Sequence, residues 1–313
     1  MIPLVSIVMS VYNGESYLRE AIESILNQTF TDFEFIIIND GSTDTSAEIV
    51  RSYNDERIRL IQQENIGLAA ALNRGIELSE GKYIARMDAD DICYPNRLEV
   101  QFRYLERHQD IIALGSAADW IDESGQYLCT IKKPFLFDAI QKKLPDSPFI
   151  HPSVMFRRKV FYAAGRYPER FRISAADAVL FNKMAMLGEL RNLSEPLICY
   201  RVRPDAASRF SKKTAQCIAR IVDKAIHDLP VHDKELAEVY RLRANMREKD
   251  KRYEYHLLIA KKLLWDNPCK DKARTHILAA MRHRFFSLRL WALLLLSFLP
   301  KRAVQTLYRL AVR

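Results

Sequence analysis

The chain has 313 residues, 49% of them hydrophobic, and a formal net charge of +9. That apolar content suffices to bury a substantial core, which excludes a disordered chain, while five scattered cysteines (Cys93, Cys129, Cys199, Cys217, Cys269) with no CxxC pair exclude a disulfide framework and a cysteine zinc site. The positive charge comes without a helix-turn-helix, zinc-finger or RNP pattern, so no nucleic-acid partner is expected. A reducing, cytoplasmic setting fits the cysteines. Met1-Ile2-Pro3-Leu4 lacks the basic lead of a secretory signal, so export is not expected.

The first hundred residues alternate strand and helix patterns. Leu4 to Ser10 reads as a buried strand, and Ser16 to Asn27 as a helix with Tyr17, Leu18, Ala21, Ile22, Ile25 and Leu26 on one face. Phe33 to Ile38 is the next strand, closed by Asn39-Asp40-Gly41, with Ser42, Thr43 and Asp44 available to cap the next helix. A strand at Ile58–Gln62, a helix at Gly67–Leu78 and a strand at Lys82–Met87 continue the series. Such alternation predicts parallel strands joined by crossover helices.

Pro95 suits the start of a helix through Leu98–Arg107. Further on, Ile111–Ala117 reads as a strand, Phe137–Leu144 as a short helix, His151–Arg157 as a strand, Asp177–Leu187 as a helix and Leu197–Arg203 as a last strand. The expected division is an α/β unit over residues 1–210 and a helical region over 211–313. The apolar run Leu290–Leu299 is well short of the roughly 20 residues a spanning helix needs. After Pro300, Val304, Leu307, Tyr308 and Ala311 share one helical face, with Arg302, Arg309 and Arg313 left for the other. With Arg241, Arg243, Arg247 and Arg282-His283-Arg284 nearby, the region reads as an interfacial helix pair contacting an anionic membrane; the alternative is a C-terminal helix packed on the α/β unit.

Chemistry concentrates at Asp88-Ala89-Asp90-Asp91, directly after the strand pattern Tyr83-Ile84-Ala85-Arg86-Met87. The carboxyl end of a strand is where an open α/β sheet places its ligands, and carboxylates two apart on an extended segment point the same way. Their hard oxygens suit Mn²⁺ or Mg²⁺ holding a diphosphate. An EF-hand is excluded, because Ile92 and Cys93 stand where a calcium loop needs an oxygen ligand and glycine. Asp40 ends a strand before a glycine turn, which lets its carboxylate face the same crevice or cap the turn.

Four ordered segments, Val8-Met9-Ser10-Val11-Tyr12-Asn13-Gly14, Ile38-Asn39-Asp40-Gly41-Ser42-Thr43-Asp44, Asp88-Ala89-Asp90-Asp91 and Ala175-Ala176-Asp177, resemble those of family 2 glycosyltransferases. The likeness covers roughly residues 3 to 203. It implies an α/β, GT-A (Rossmann-like) fold with a mostly parallel central sheet flanked by helices, a nucleotide-diphosphate sugar donor and a divalent metal, Mn²⁺ or Mg²⁺. It assigns Asp40 to the nucleotide base, with Val11, Tyr12 and Asn13 shaping the base pocket. Asp88 and Ala89 fall to the nucleotide side, Asp90 to the metal, and Asp91 to support or to the acceptor. Asp177 is the implied base that deprotonates the acceptor hydroxyl, with inversion at the anomeric carbon.

The chain departs from the family pattern in three places. Ala176-Asp177 replaces a Glu-Asp pair. Ala71-Leu72-Asn73 stands where many relatives have Ala-Arg-Asn, which leaves Asn73 and Arg74 as the nucleotide contacts. Tyr200-Arg201-Val202-Arg203 has Arg203 where many have His; arginine cannot ligate a metal but can clamp phosphate, so Arg201, Arg203 and His151 face the diphosphate or acceptor. The QxxRW signature of processive relatives is missing, so single-sugar transfer to a saccharide or lipid-linked saccharide is expected, with UDP as the expected carrier. Two other readings are open: a haloacid-dehalogenase-like phosphohydrolase using Asp88-x-Asp90 as nucleophile and acid, and a silent sensor of nucleotide sugars suggested by Ala176.

Overall fold

The computed structural model describes residues 2–171, 175–204, 212–265 and 269–300, with 303, 304 and 306. A nine-stranded sheet has the order β3-β2-β1-β4-β8-β6-β9-β5, with β7 paired to β6. Four strands are mutually parallel: β1 (Val5–Val11), β2 (Phe33–Asp40), β3 (Ile58–Gln63) and β4 (Tyr83–Asp88). They are linked by α1 (Leu18–Leu26), α2 (Ser46–Arg51) and α3 (Leu68–Glu77), as the alternating pattern predicts. Three later strands reverse: β8 (Met155–Arg157) is antiparallel to β4 and to β6 (Ile111–Ile121), β5 (Ile92–Cys93) to β9 (Glu189–Arg201), and β7 (Tyr127–Ile131) to β6.

The period of two decides which way each residue faces. On β1, Val5, Ile7 and Met9 enter a core with Leu18, Ile22 and Ile25 of α1 and with α4 (Arg97–Arg107); Val8 enters the opposite core with Ala69, Leu72 and Ile76 of α3. Burial of Leu18, Ile22 and Ile25 alone contributes on the order of 6 kcal/mol in gross transfer free energy. Gly75 lets α3 lie close on the sheet, since a β-carbon there would stand 2.5 Å from Val8 Cγ1. In-register pairing brings Ser10 beside Asp88 and Asp40 beside Gln63, so the carboxyl ends of β1, β2 and β4 form one rim.

Two predicted elements change at prolines. The strand expected over His151–Arg157 opens as a 3-10 turn at His151–Ser153 before β8, because Pro152 has no N–H for a ladder and Ser153 Oγ donates to Ile150 O at 2.7 Å. Pro145 disfavours helix at Leu144, and the short helix α5 (Phe137–Gln141) ends before it. Besides α6 (Arg158–Ala163), the strands β5 and β7 carry no pattern of their own and exist by pairing with β9 and β6.

The helices after residue 211 pack in two places. Cys217, Ile221 and Val222 of α8 (Lys212–Ile226) and Leu236 and Val239 of α9 (Asp233–Ala244) join α7 (Ala176–Ala185) in the core that holds Val8 and Ile84. A separate core unites α10 (Glu248–Trp265), α11 (Lys270–Met281) and α12 (Leu288–Leu296) with Leu128, Cys129 and Val202, and Trp120, Ile131 and Tyr200 lean against it. Among the described residues no helix is long and apolar enough to cross a membrane. Of the predicted tail face, Val304 is 2% exposed; Arg302, Leu307, Tyr308, Arg309, Ala311 and Arg313 lie outside the described residues.

Candidate active site

A cavity of about 580 Å³ opens at the carboxyl rim of β1 and β4. Tyr12, Asn13, Asp88, Ala89, Asp90, His151, Asp177, Arg201 and Arg203 all line it, so three of the four sequence segments meet in one pocket of a size that holds a small ligand. Asn13, at φ 50°, accepts Thr43 N–H at 2.8 Å, and Ser42 Oγ accepts Asn13 N–H at 3.0 Å. These bonds lock the turn after β1 to the turn after β2 and leave Tyr12 55% exposed at the mouth.

One oxygen each of Asp88, Asp90 and Asp91 lies within 4.8 Å of the others. Burial, followed by the charge of Asp88, pushes Asp90 up to about 6; burial and both neighbouring carboxylates hold Asp91 well above the usual carboxylate range. Asp91 Oδ2 is buried without a hydrogen-bond partner. Crowded hard oxygens that resist joint ionisation, one of them an orphaned acceptor, fit a divalent cation.

Three arginines surround this cluster, each with a different task. Arg203 Nε lies 3.2 Å from Asp90 Oδ2, with both side chains a little over a quarter exposed, which leaves it open to the cavity. Arg201, assigned by resemblance to the diphosphate or acceptor, is instead committed to the protein. It donates from Nε to Asp90 O (2.9 Å), from Nη1 to Asp122 O and Glu123 O (3.3 and 3.2 Å) and from Nη2 to Glu20 (2.6 Å), and it stacks on Tyr17. Its N–H also donates to Asp91 Oδ1 at 2.7 Å, which pins the acidic loop from a second side. Arg86, which belongs to none of the motifs, lies wholly inside the sheet with Nη2 2.5 Å from Asp88 Oδ1. A charged residue within a buried apolar strand pattern is the one signal for it in the sequence.

Asp177 stands in the first turn of α7, after Ala175 at φ 108°. Its Oδ2 accepts Ser147 Oγ–H at 3.0 Å, and Lys133 Nζ donates to Ser147 O at 2.8 Å. Burial pulls Lys133 below the ordinary lysine range, against the upward pull of Asp177. His151 shares a 2.8 Å hydrogen bond with Tyr167 Oη, and burial and Arg86 hold it well below the usual histidine value. The imidazole lines the cavity.

Five predicted residues do not line the cavity. Val11 is packed in the core beneath Tyr12. The Asp40 carboxylate is filled by Gln63 Nε2 (2.7 Å), Ile66 N–H and Gly67 N–H (both 3.0 Å), so it builds the loop before α3. Asn73 is buried and holds the Tyr167–Glu169 segment through both amide atoms. Arg74 donates to Gln63 Oε1 at 2.8 Å on the surface. Asp91, 1% exposed, accepts Arg201 N–H and lies beside the other two carboxylates, away from the cavity surface.

The profile of glycosyl transferase family 2 matches residues 6–165, which span β1 to α6 and contain the acidic cluster. The chain belongs to this family. An uncharacterized glycosyltransferase of Methanocaldococcus jannaschii is 45% identical over 220 residues, covering 67% of this chain and 76% of that protein. An uncharacterized glycosyltransferase of Rickettsia bellii is 36% identical over 203 residues, and the chain spans 29% of that protein. Among solved structures, residues 1–349 of Staphylococcus aureus TarS, in complex with UDP, align over 99% of this chain and 92% of that one, at 18% identity and a TM-score of 0.54. Mannosyltransferase PcManGT of Pyrobaculum calidifontis, in complex with GDP-Man and Mn²⁺, aligns over 98% and 84%, at 19% and 0.53. Its fold is thus GT-A, and this family 2 member is a glycosyltransferase. The phosphohydrolase reading fails on the same finding; that chemistry also places its nucleophile after the first strand, whereas Asp88 ends the fourth.

Proposed function

We propose that the enzyme transfers a single sugar from a nucleotide-diphosphate sugar, with UDP as the expected carrier, to an acceptor hydroxyl with inversion. The observation that carries this is the placing of Asp177 and of the Asp88–Asp90 pair on the walls of one cavity. Tyr12 and Asn13, at the mouth, receive the nucleotide. Asp90, with Asp88 and Asp91 beside it, would hold Mn²⁺ or Mg²⁺, which when bound neutralises charge on the departing diphosphate. Arg203 adds a phosphate-facing guanidinium. Asp177, oriented by Ser147, takes the acceptor proton as the hydroxyl oxygen attacks the anomeric carbon opposite the leaving phosphate. One displacement inverts the configuration. TarS with UDP and PcManGT with GDP-Man and Mn²⁺ support a nucleotide ligand and a metal here.

The acceptor is proposed to be a lipid-linked saccharide, met at the inner face of the cytoplasmic membrane during surface polysaccharide assembly. From Lys272 to Arg313 the sequence has nine Lys and Arg and no Asp or Glu, which equals the whole formal net charge of +9. Around α12, Leu290 and Leu293 face the core, while Phe286 (91% exposed), Leu288 (86%), Leu295 (69%) and Phe298 (66%) face outward beside exposed Arg282, Arg284 and Arg289. Exposed apolar side chains beside exposed arginines suit an anionic bilayer surface. The core beneath these helices also packs Trp120 and Tyr200, which line the cavity.

The test is a panel of UDP-glucose, UDP-N-acetylglucosamine and GDP-mannose, scored for Mn²⁺-dependent hydrolysis. Asp177→Asn is expected to bind the active donor unchanged and to turn over about 10²–10⁴-fold more slowly. Unimpaired turnover by that variant would remove Asp177 as the base.

A further inference from the structure

Arg86 lies in mid-strand on β4, paired to Val8 on one side, with its N–H donating to Val154 O at 2.9 Å. Its side chain is 2% exposed, and only Nη2 has a hydrogen-bond partner, Asp88 Oδ1 at 2.5 Å. Nε and Nη1 are buried and unpartnered although the side chain lines the cavity. A guanidinium presents its donors in a rigid planar fork, so one carboxylate oxygen leaves most of that fork idle. Charged donors in an interior are normally matched, and unmatched ones at a site call for a missing acceptor.

The reaction fixes what can supply that acceptor. In a single displacement the anomeric carbon stands between the departing phosphate, held at Asp88 and Asp90, and the incoming oxygen at Asp177. The sugar ring therefore occupies the stretch of cavity between those carboxylates. Tyr167 marks this stretch, since it lines the cavity together with Arg86, Asp88 and Asp177. Tyr167 Oη pairs with His151 at 2.8 Å and takes no hydrogen bond from Arg86, whose Nε and Nη1 are unpartnered. The remaining surroundings on that face, Val8, Leu72 and Ile84, are apolar.

We infer that Arg86 and Asp88 act as a pair that reads the donor's sugar: the idle guanidinium edge donates to a ring hydroxyl oxygen, and Asp88 accepts a hydroxyl hydrogen. The inference rests on the sugar-transfer reading and adds to it a residue that discriminates sugar from bare nucleotide. A donor–acceptor pair is selective, because a ligand without the hydroxyl leaves both buried partners unmatched.

The experiment measures two dissociation constants in Mn²⁺ for the wild type, Arg86→Lys and Arg86→Gln. One is for whichever panel nucleotide sugar binds the wild type, the other for its bare nucleoside diphosphate. The ratio of the two constants is expected to rise about tenfold or more in both variants, the loss of one charge-assisted hydrogen bond, with the diphosphate constant within about threefold of wild type. Equal weakening of both ligands would overturn the inference and leave Arg86 as a prop for Asp88. Unchanged binding of both would overturn it as well. Arg86→Lys keeps the buried charge, so it decides the question alone if Arg86→Gln does not fold. A wild type that binds no nucleotide sugar defeats the sugar-transfer reading itself, whereas a binding wild type with an unmoved ratio defeats only the role of Arg86.

Discussion

Replacing Arg201 by methionine separates a ligand-binding arginine from a structural one. Methionine keeps much of the apolar stem but removes donors to Asp90 O, Asp122 O, Glu123 O and Glu20. Each bond to a backbone carbonyl is worth about 1 kcal/mol net. The Glu20 pair adds at most about 1 kcal/mol, because the Glu20 side chain is 59% exposed and water screens it. The sum is about 3–4 kcal/mol. At about 2 °C per kcal/mol for a chain of this size, Arg201→Met should melt about 6–8 °C below wild type. The assay is thermal melting in EDTA, repeated with Mn²⁺ and UDP. The variant should start lower yet still rise when Mn²⁺ and UDP are added. If it melts within about 2 °C of wild type and no longer responds to UDP, Arg201 holds phosphate and the account of it as a clamp is wrong.

Metal dependence gives a second outcome. At a Mn²⁺ concentration about 100 times its dissociation constant the wild type should gain about 2.7 kcal/mol of stability that EDTA removes, and Asp90→Asn should show no such gain in the same melts. The helical region should be acid-labile. His256 and His276 share a 3.0 Å hydrogen bond, and burial followed by the charges of His276 and His283 pulls His256 down to about 4 from an ordinary value near 6.5. The native state thus binds fewer protons than the unfolded one between those values, so the stability is present above about pH 6.5 and is lost as pH falls towards 4. Partial exposure of the ring reduces the contribution to about 1–2 kcal/mol; urea melts at pH 7 and pH 5 should show it, and His256→Gln should narrow the gap. Finally, Phe286→Ser with Leu288→Ser should weaken flotation with phosphatidylglycerol-rich vesicles about 100-fold, from about 3 kcal/mol of lost apolar burial, and added salt should weaken the wild type too. Dimerisation in solution with no vesicle binding would assign that face to a second copy instead.

Composition, period-two strands and the order of the motifs were enough to read an α/β chain with an acidic site after the fourth strand. These are local properties: Val5, Ile7 and Met9 alternate with Ser6 and Val8 whatever lies elsewhere, and Asp88 follows Met87 by covalent order. Partnership is different. Asp40 and Asn73 look like ligand contacts in one dimension, but only folding shows that Gln63, Gly67 and Tyr167 take their polar atoms. Arg201 and Arg203 stand two apart on the chain and both lie over Tyr17, yet Arg201 is 2% exposed and bound to Glu20 while Arg203 is 29% exposed beside Asp90, because their partners come from distant parts of the chain. The strands β5 and β7 were invisible for a related reason, being short segments held by pairing alone. Sequence by itself determined which chemical groups this protein owns and along which rim they emerge; tertiary structure decided which of them are spent on each other and which are left for a ligand, since a hydrogen bond depends on distance in space and not on spacing along the chain.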